Sequence, residues 1–202
     1  MNDSFIIAGT DEAGRGPLAG PVIAAAAIVA KEQRELLLAA GLRDSKKLSA
    51  KRREELFALI RGSGVVWREQ ACGAAVIDRV NILQASLWCM KRSIEKLPIK
   101  PSLILVDGNR NIPELGIPQK TIIGGDDVVP AIAAASVIAK VLRDRVMEIM
   151  DKVYPDYQFA KHKGYPSALH KSLIARWGPS PIHRLSFRGV KTECLSALLK
   201  TL

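Results

Sequence analysis

Short apolar runs alternate along the chain with longer segments in which apolar residues recur every three or four positions. Short apolar runs are typical of buried strands, and the longer periodic segments are typical of helices. Strands are predicted at 5–10, 21–30, 65–73, 101–108 and 120–127. Helices are predicted at 50–61, 74–97, 128–154, around 167–177 and close to the carboxyl terminus.

Local signals mark the beginnings of two of these helices. Ser49 precedes the helix at 50–61 and is a natural N-cap, because its hydroxyl can accept a free N–H of the first turn. Pro130 lies near the start of 128–154, where a helix tolerates proline. Alternating strands and helices predict an α/β or mixed-sheet fold. Closely spaced alanines predict very close packing of the 128–154 helix against that sheet, namely Ala131, Ala133, Ala134, Ala135 and Ala139.

Acidic residues follow three of the predicted strands, as Asp11-Glu12, Asp107 and Asp126-Asp127. A single aspartate after a strand is usually a turn residue. Three such positions in one sheet would bring carboxylates together, and that arrangement is costly unless a cation joins them. Hard oxygen ligands without neighbouring His or Cys favour magnesium or manganese over zinc.

The charge of the chain suggests what such a metal site would act on. The 202 residues carry 30 Lys and Arg against 20 Asp and Glu, a net charge of +10. This balance favours a polyanionic partner, nucleic acid first, although an inert basic surface is the alternative. A carboxylate-bound divalent metal on a basic protein is typical of phosphodiester hydrolysis.

Composition excludes several other classes of protein. With 48% hydrophobic and 25% charged residues, the chain is typical of a soluble globular protein. Three widely spaced cysteines fit neither a disulfide framework nor a zinc site, so reduced thiols and a cytoplasmic protein are expected. The amino terminus lacks the basic region of a secretory signal. The longest apolar run, 17–30, contains two prolines and is too short to span a bilayer, so no membrane partner is expected.

Basic, glycine-containing segments are candidates for contact with nucleic acid. Gly14-Arg15-Gly16 would let a sugar-phosphate backbone approach the main chain, although a tight turn explains the triplet equally well. The loops at 44–47, with Lys46, and at 161–165 suit phosphate contact, and solvated charge is the alternative. Tyr165 could stack on a sugar or donate to a 2′-hydroxyl, or it could be a packed tyrosine with a wet hydroxyl.

The remaining polar residues suggest fewer roles. The three histidines, His162, His170 and His183, lack the spacing of a helical metal pair and are interpreted as phosphate-facing or structural. Ser136 and Lys140 are four residues apart on one helix and could form a nucleophilic pair. In so alanine-rich a helix, close packing is the preferred interpretation of Ser136.

Six motifs occur in an order that resembles a known family. They are DEAGRGPLAGPV, DSKKLS, LILVDGN, GD followed by AIAAASVIAKVLRDR, KHKGYP and HRLSF. The ordered set resembles the type 2 ribonuclease H family, the bacterial ribonucleases HII, from about residue 6 to residue 190. The resemblance implies an α/β fold, with a ribonuclease H-like mixed β-sheet flanked by helices and a carboxyl-terminal helical segment. It also implies one catalytic domain over 1–202, with 156–202 as its helical, substrate-facing part.

The resemblance implies a metal-dependent endonuclease. Such an enzyme hydrolyses the RNA strand of RNA/DNA hybrids and nicks duplex DNA 5′ of a single embedded ribonucleotide, as in DNA repair, leaving 5′-phosphate and 3′-hydroxyl ends. The expected cofactor is Mn²⁺ or Mg²⁺, and the expected partners are RNA/DNA hybrids and ribonucleotide-containing duplexes. A cytoplasmic monomer is expected.

The matching motifs also imply roles for individual residues. Four carboxylates would bind metal and serve catalysis: Asp11, Glu12, Asp107 and Asp126. Five residues would bind substrate: Gly14, Arg15, Gly16, Lys46 and Tyr165. The glycine–arginine–glycine triplet would contact the substrate backbone around the 2′-hydroxyl of the ribonucleotide, and the tyrosine would pack at the RNA-to-DNA junction.

The sequence departs from the family pattern at two places. Gly124-Gly125 precedes the fourth acid where the family usually has Lys two residues before it. Asp126 is preferred as that acid because its distance to the following alanine-rich segment fits, and Asp127 is the alternative. Ser167 stands where Thr is expected and keeps the hydroxyl.

Two other classes of function remain open from sequence. A nucleic-acid binding module would use the acids only structurally and would show no chelator-sensitive cleavage. A hydrolase built on Ser136 and Lys140 would keep its activity in chelator and lose it on Ser136→Ala.

Overall fold

A computed structural model describes residues 5–42 and 48–190. Its strands are β1 (Ile7–Ala13), β2 (Val22–Ile28), β3 (Val66–Cys72), β4 (Leu103–Asp107) and β5 (Gln119–Ile122). Its α-helices are α1 (Lys31–Ala39), α2 (Ala50–Gly62), α3 (Ala74–Val80), α4 (Ile82–Glu95), α5 (Gly125–Val128), α6 (Pro130–Val153), α7 (Phe159–His162) and α8 (Ala168–Trp177). A 3₁₀-helix covers Pro155–Tyr157. The helix predicted near the carboxyl terminus lies outside the described residues.

The five strands form one mixed sheet in the order β3-β2-β1-β4-β5. Strand β1 is antiparallel to β2 and parallel to β4, and β4 is parallel to β5. The predicted mixed α/β sheet is confirmed. Because β1, β4 and β5 run in the same direction, their carboxyl ends lie at one edge of the sheet.

Two compact units can be distinguished. The first is built from the described parts of Met1–Ala13, Ile23–Gln70 and Ser86–Val141. The second is built from the described parts of Gly14–Val22, Ala71–Ala85 and Leu142–Leu202. One catalytic domain over 1–202 remains a prediction.

In the first unit, α6 packs directly on the backbone of β1. A Cβ added to Gly9 would overlap the main chain of Ala131 and Ile132, and would lie 2.8 Å from the Ala131 carbonyl oxygen. Ala134 and Ala135 are fully buried. The close packing predicted from the alanines of this helix is confirmed, and it ties α6 to the strand that carries Asp11.

In the second unit, a hydrophobic cluster forms around the end of α6 and the segments that follow it. Its buried members are Ala19, Met147, Tyr157, Phe159 and Leu173. The Tyr157 and Phe159 rings stack with centroids 5.4 Å apart, and the Tyr157 hydroxyl donates to the Gly178 carbonyl at 2.7 Å. Two stacked aromatic rings therefore lie within the core of this unit, although the chain is poor in aromatic residues.

Two of the predicted helix beginnings agree with the structure, and two differences are seen elsewhere. The Ser49 hydroxyl accepts the Arg52 N–H at 3.2 Å, and α6 begins at Pro130, close to the predicted start at residue 128. The single helix predicted over 74–97 is wrong, because the chain breaks at Asn81, whose φ is 67°. The Asn81 side chain accepts the Gln84 N–H at 3.1 Å and so starts α4 as a new helix. Helix α1 was not predicted.

No helix in the described ranges combines the length and the apolar character needed to cross a membrane.

Candidate active site

Asp11 and Asp107 follow one another across the sheet of the first unit. Thr10 pairs with Val106 in the parallel register of β1 and β4, and each aspartate is the next residue of its strand. Asp107 in turn pairs with Ile122 on β5. The prediction that strand-end carboxylates lie close together therefore holds for Asp11 and Asp107. Glu12 follows Asp11 on β1.

The Asp11 carboxylate is buried and poorly compensated. Only 2% of Asp11 is exposed; its Oδ1 accepts the Glu12 N–H at 2.7 Å, and its Oδ2 has no hydrogen-bond partner among the described residues. Burial, followed by the negative charges of Glu12 and Asp107, raises the pKa of Asp11 well above its usual value. Hydrogen bonds from the Ser136 side chain and the Glu12 backbone act in the opposite direction.

Asp107 connects the sheet to the short helix that carries the fourth acid. Its Oδ1 accepts the Gly125 N–H at 2.8 Å. A Cβ on Gly125 would lie 2.5 Å from Ile132 Cδ1 and 3.4 Å from Asp107 Oδ1, so a side chain at this position would have to displace that of Ile132. Helix α5 is thereby held beside the end of β4.

Asp126 and Asp127 lie in the first turn of α5 and not at the end of a strand. The predicted strand-end position of this pair is wrong, because β5 ends at Ile122 and Gly124 turns the chain with a φ of 65°. The two acids differ in burial, since Asp126 is only 4% exposed and Asp127 lies in solvent. Burial singles out Asp126 as the acid that belongs to the interior of the first unit.

The acidic residues offer the right type of ligand for a hard divalent cation. The unsatisfied, buried Oδ2 of Asp11 lies in a field made negative by Glu12 and Asp107, where a cation would offset the cost of burial. Across residues 5–42 and 48–190, however, no three His, Cys, Asp or Glu side chains are gathered closely enough to hold one ion. The chemistry of the carboxylates fits Mg²⁺ or Mn²⁺, and their side chains would have to close around it.

In the second unit, Arg184 fixes the backbone of the glycine–arginine–glycine triplet. This arginine is fully buried and donates to the carbonyl oxygens of Gly14 at 2.6 Å, Arg15 at 3.1 Å and Gly20 at 2.9 Å. Gly14 has a φ of 103°, a conformation that L side chains rarely adopt. Gly16 and the Arg15 side chain are exposed. The triplet is therefore a braced loop that leaves its outer face open.

A second buried arginine, Arg143, supports the neighbouring main chain. It donates to the carbonyl oxygens of Pro21 at 3.1 Å, Ala19 at 3.3 Å and Lys163 at 2.9 Å. Burial lowers the pKa of Arg143. Its guanidinium carbon lies 5.5 Å from the centroid of the Tyr165 ring. One arginine thus joins the segment after the triplet to the segment that carries the tyrosine.

Tyr165 is 40% exposed and lies beside the triplet. A Cβ added to Gly16 would be 4.0 Å from Tyr165 Cε1. Two of the predicted substrate-binding residues are therefore neighbours in the second unit. Lys46, another of them, lies outside the described residues.

The other polar residues singled out in the sequence have mainly internal contacts. His170 and His183 are buried, which favours the structural interpretation of these two residues. Ser136 is 3% exposed and its side chain interacts with Asp11. Neither this contact nor the roles of Arg143 and Arg184 could be inferred from the sequence. The only available signal was that two arginines stand within otherwise matched motifs.

Comparison with known proteins agrees with the sequence motifs. The family model for Ribonuclease HII matches residues 8–190. A curated Ribonuclease HII from Idiomarina loihiensis is 49% identical over 92% of this chain and 97% of its own length. Another, from Geobacter metallireducens, is 51% identical over 94% of this chain and 87% of its own length.

A solved structure supports the same conclusion. The crystal structure of ribonuclease H2 from Pyrococcus horikoshii is similar with a TM-score of 0.81 and 26% identity, covering 96% of this chain and 99% of that one. The predicted ribonuclease H-like fold is thus confirmed. The chain belongs to the ribonuclease HII family, a family of endonucleases with ribonuclease H activity on RNA paired with DNA.

Proposed function

We propose that this protein is a metal-dependent endonuclease that cuts the RNA strand of RNA/DNA hybrids and nicks duplex DNA 5′ of single embedded ribonucleotides. The products would carry 5′-phosphate and 3′-hydroxyl ends. Such an activity would serve the removal of ribonucleotides in DNA replication and repair. The observation that carries the proposal is the buried Asp11 carboxylate, with its unsatisfied Oδ2, next to Glu12 and Asp107.

In this proposal, Asp11, Glu12, Asp107 and Asp126 hold Mg²⁺ or Mn²⁺. A bound divalent metal supplies an activated water and stabilises the leaving oxygen in phosphodiester hydrolysis. The Ser136 side chain and the Glu12 N–H favour the charged form of Asp11, and they oppose the burial and the negative neighbours that raise its pKa. The Gly125 N–H donates to Asp107 Oδ1 and orients that carboxylate.

Recognition of the ribonucleotide is assigned to Gly14, Arg15, Gly16 and Tyr165, with Lys46 as a further phosphate contact. The braced triplet and the exposed tyrosine ring support this assignment, because a preformed surface loses little entropy when a ligand binds. The net charge of +10 favours approach of the polyanionic duplex. Residues 156–202 would form the substrate-facing part of one domain. The whole protein would work as a cytoplasmic monomer.

The decisive experiment uses a DNA duplex that carries one ribonucleotide, with an all-DNA duplex and a full RNA/DNA hybrid alongside. With Mg²⁺ or Mn²⁺ we expect a nick 5′ of the ribonucleotide and cleavage within the hybrid, and excess chelator should abolish both. End-labelling and phosphatase treatment identify the ends. Cleavage that persists in chelator would exclude the metal role and would favour the Ser136/Lys140 alternative. Binding without any cleavage would favour a binding module.

A further inference from the structure

Three imidazole rings of the second unit lie in one stack. His162 and His170 are nearly parallel, with ring centroids 4.2 Å apart and planes inclined by 19°. His183 follows, with its centroid 5.1 Å from that of His170. His170 is fully buried and His183 is 2% exposed, so water does not satisfy their ring nitrogens. Their hydrogen bonds must therefore be made within the protein.

The backbone N–H of Ser180 sets the direction of these hydrogen bonds, and the Ser180 Oγ also lies 2.8 Å from the same ring nitrogen. The Ser180 N–H donates to His183 Nδ1 at 2.8 Å, so the proton of the neutral ring is on Nε2. His183 Nε2 lies 3.0 Å from His170 Nε2, which must then be the acceptor. His170 consequently carries its proton on Nδ1 and donates to the Tyr165 carbonyl oxygen at 2.9 Å. The chain of donors ends on the backbone of Tyr165.

Both rings are held in the neutral form that this order requires. Burial lowers the pKa of His170 and of His183 to about 4. The pKa of His162 is also lowered by burial. At neutral pH each imidazole therefore has one donor and one acceptor, and the direction of the chain is fixed.

The backbone that receives these bonds is tightly turned. Lys163 has a φ of 50° and Gly164 a φ of 82°. The Gly164 N–H donates to His162 Nδ1 at 3.2 Å, and a Cβ at Gly164 would lie 2.5 Å from the Ala19 carbonyl oxygen. Two imidazoles thus hold the residues on either side of the Gly164–Tyr165 peptide, while the Tyr165 ring is partly in solvent.

We propose that His170 and His183 are positioning residues for ribonucleotide recognition, which hold the Tyr165 main chain so that its ring stays beside Gly16. The inference rests on the proposed role of Tyr165 in substrate binding. The Tyr165 ring is 40% exposed and has the Arg143 guanidinium carbon 5.5 Å from its centroid, and its direction also depends on the backbone beneath it. The histidine chain reaches that backbone from Ser180 without contacting the substrate surface itself.

Two substitutions of His170 separate its two nitrogens. Asparagine can place an amide N–H near the position of Nδ1, whereas glutamine reaches toward the position of Nε2. H170Q should lose the bond to Tyr165 and lower kcat/KM on a single-ribonucleotide duplex roughly fivefold, the effect of one hydrogen bond, mainly through KM. H170N should retain most of that activity. Y157F is the matched control, because it removes the hydrogen bond from Tyr157 to the Gly178 carbonyl in the same unit and should leave kcat/KM unchanged.

A double-mutant cycle tests whether His170 acts through the tyrosine. In a Tyr165→Ala background, H170Q should cause no further loss of kcat/KM. A full additional loss, with Tyr165→Ala itself impaired, would overturn the positioning role and leave the proposed function intact. If Tyr165→Ala cleaves like the wild type, the substrate role of Tyr165 falls and the positioning role falls with it.

The order of protons can be measured without any variant. In ¹⁵N NMR spectra of the histidine rings at pH 7, His170 should be protonated on Nδ1 and His183 on Nε2. The opposite tautomer at His170 would remove the imidazole donor from the Tyr165 carbonyl, which also accepts the Ser167 N–H at 2.8 Å, and would overturn the proposal, whatever the variants show.

Discussion

Arg184 Nη2 donates a hydrogen bond to the Gly14 carbonyl oxygen at 2.6 Å, although the two residues are 170 positions apart in the chain. Asp78 reinforces the segment that carries this arginine, because its carboxylate accepts the N–H groups of Leu185 and Ser186, both at 2.9 Å. The conformation of the amino-terminal triplet is therefore decided by a motif near the other end of the chain.

Replacing Arg184 by lysine should destabilise the protein. A lysine keeps the charge but cannot reach the carbonyl oxygens of Gly14, Arg15 and Gly20 with a planar fork of donors. We expect the free energy of unfolding to fall by about 2–3 kcal/mol, measured by urea denaturation. R188K, the same change at an exposed arginine, should stay within about 0.5 kcal/mol of the wild type. Equal stability of the two variants would contradict the bracing role.

The two glycines of the triplet should respond differently to alanine. At Gly14 the φ of 103° and the Arg143 Cδ atom, 2.6 Å from an added Cβ, oppose a side chain. G14A should therefore lower the free energy of unfolding by about 2 kcal/mol. At Gly16 the atom nearest to an added Cβ is 4.0 Å away. G16A should therefore fold normally and lose only its cleavage at the ribonucleotide. Full cleavage by a stable G16A would remove this residue from the recognition surface.

Asp126 and Asp127 provide a matched pair for identifying the fourth carboxylate. D126N changes the buried acid and should reduce metal-dependent cleavage at least about a hundredfold, if one ligand is lost from the metal site. D127N changes the exposed neighbour and should cleave within about twofold of the wild type. Titration of activity with Mn²⁺ shows whether excess metal restores D126N. The reverse pattern would make Asp127 the ligand.

Asp11→Asn should abolish cleavage without weakening the metal-free fold. The amide removes a buried charge that Glu12 and Asp107 repel, as the raised pKa of Asp11 indicates. Thermal denaturation in chelator at neutral pH should give a midpoint equal to or above that of the wild type. A clearly lower midpoint would mean that the ionised carboxylate supports the fold, contrary to this description of the site.

Acid should destabilise the protein through its histidines. In the unfolded chain His170 and His183 take up protons near pH 6.5, whereas in the folded protein they do so at about 4. The unfolded state thus binds more protons in this window, and the free energy of unfolding should fall as the pH is lowered from about 6.5 to about 4. Urea titrations across this range measure the slope. H170N should reduce it by up to one proton, and an unchanged slope would contradict the neutral, buried state of the ring.

The elements that the sequence predicted well are those whose local pattern agrees with their tertiary environment. The Ser49 cap and the alanine-rich α6 are examples. A hydroxyl before a helix serves as its N-cap, and small side chains allow close packing on the sheet. The break at Asn81 was missed because the apolar period continues through it, and only the backbone conformation reveals the cap.

The candidate site was predictable in its strand-end acids and not in its supports. The parallel pairing of β1 with β4 follows from the fold and brings Asp11 beside Asp107. The hydrogen bonds of Arg143 and Arg184 are made to main-chain carbonyls. Because every residue has such a carbonyl, no pattern of side chains in the sequence predicts these bonds. The placement of Asp126 on a helix depends on Gly124 and Gly125, which the sequence pattern had included in the strand predicted at 120–127.

The missing side chain at Gly9 also limits how the enzyme can be engineered. With no layer of atoms between α6 and β1, any residue larger than glycine at this position must push the helix away from the strand. That displacement would alter the position of Ser136 relative to Asp11, which lies two residues along the same strand. Efforts to improve thermal stability by filling space should therefore leave this contact untouched.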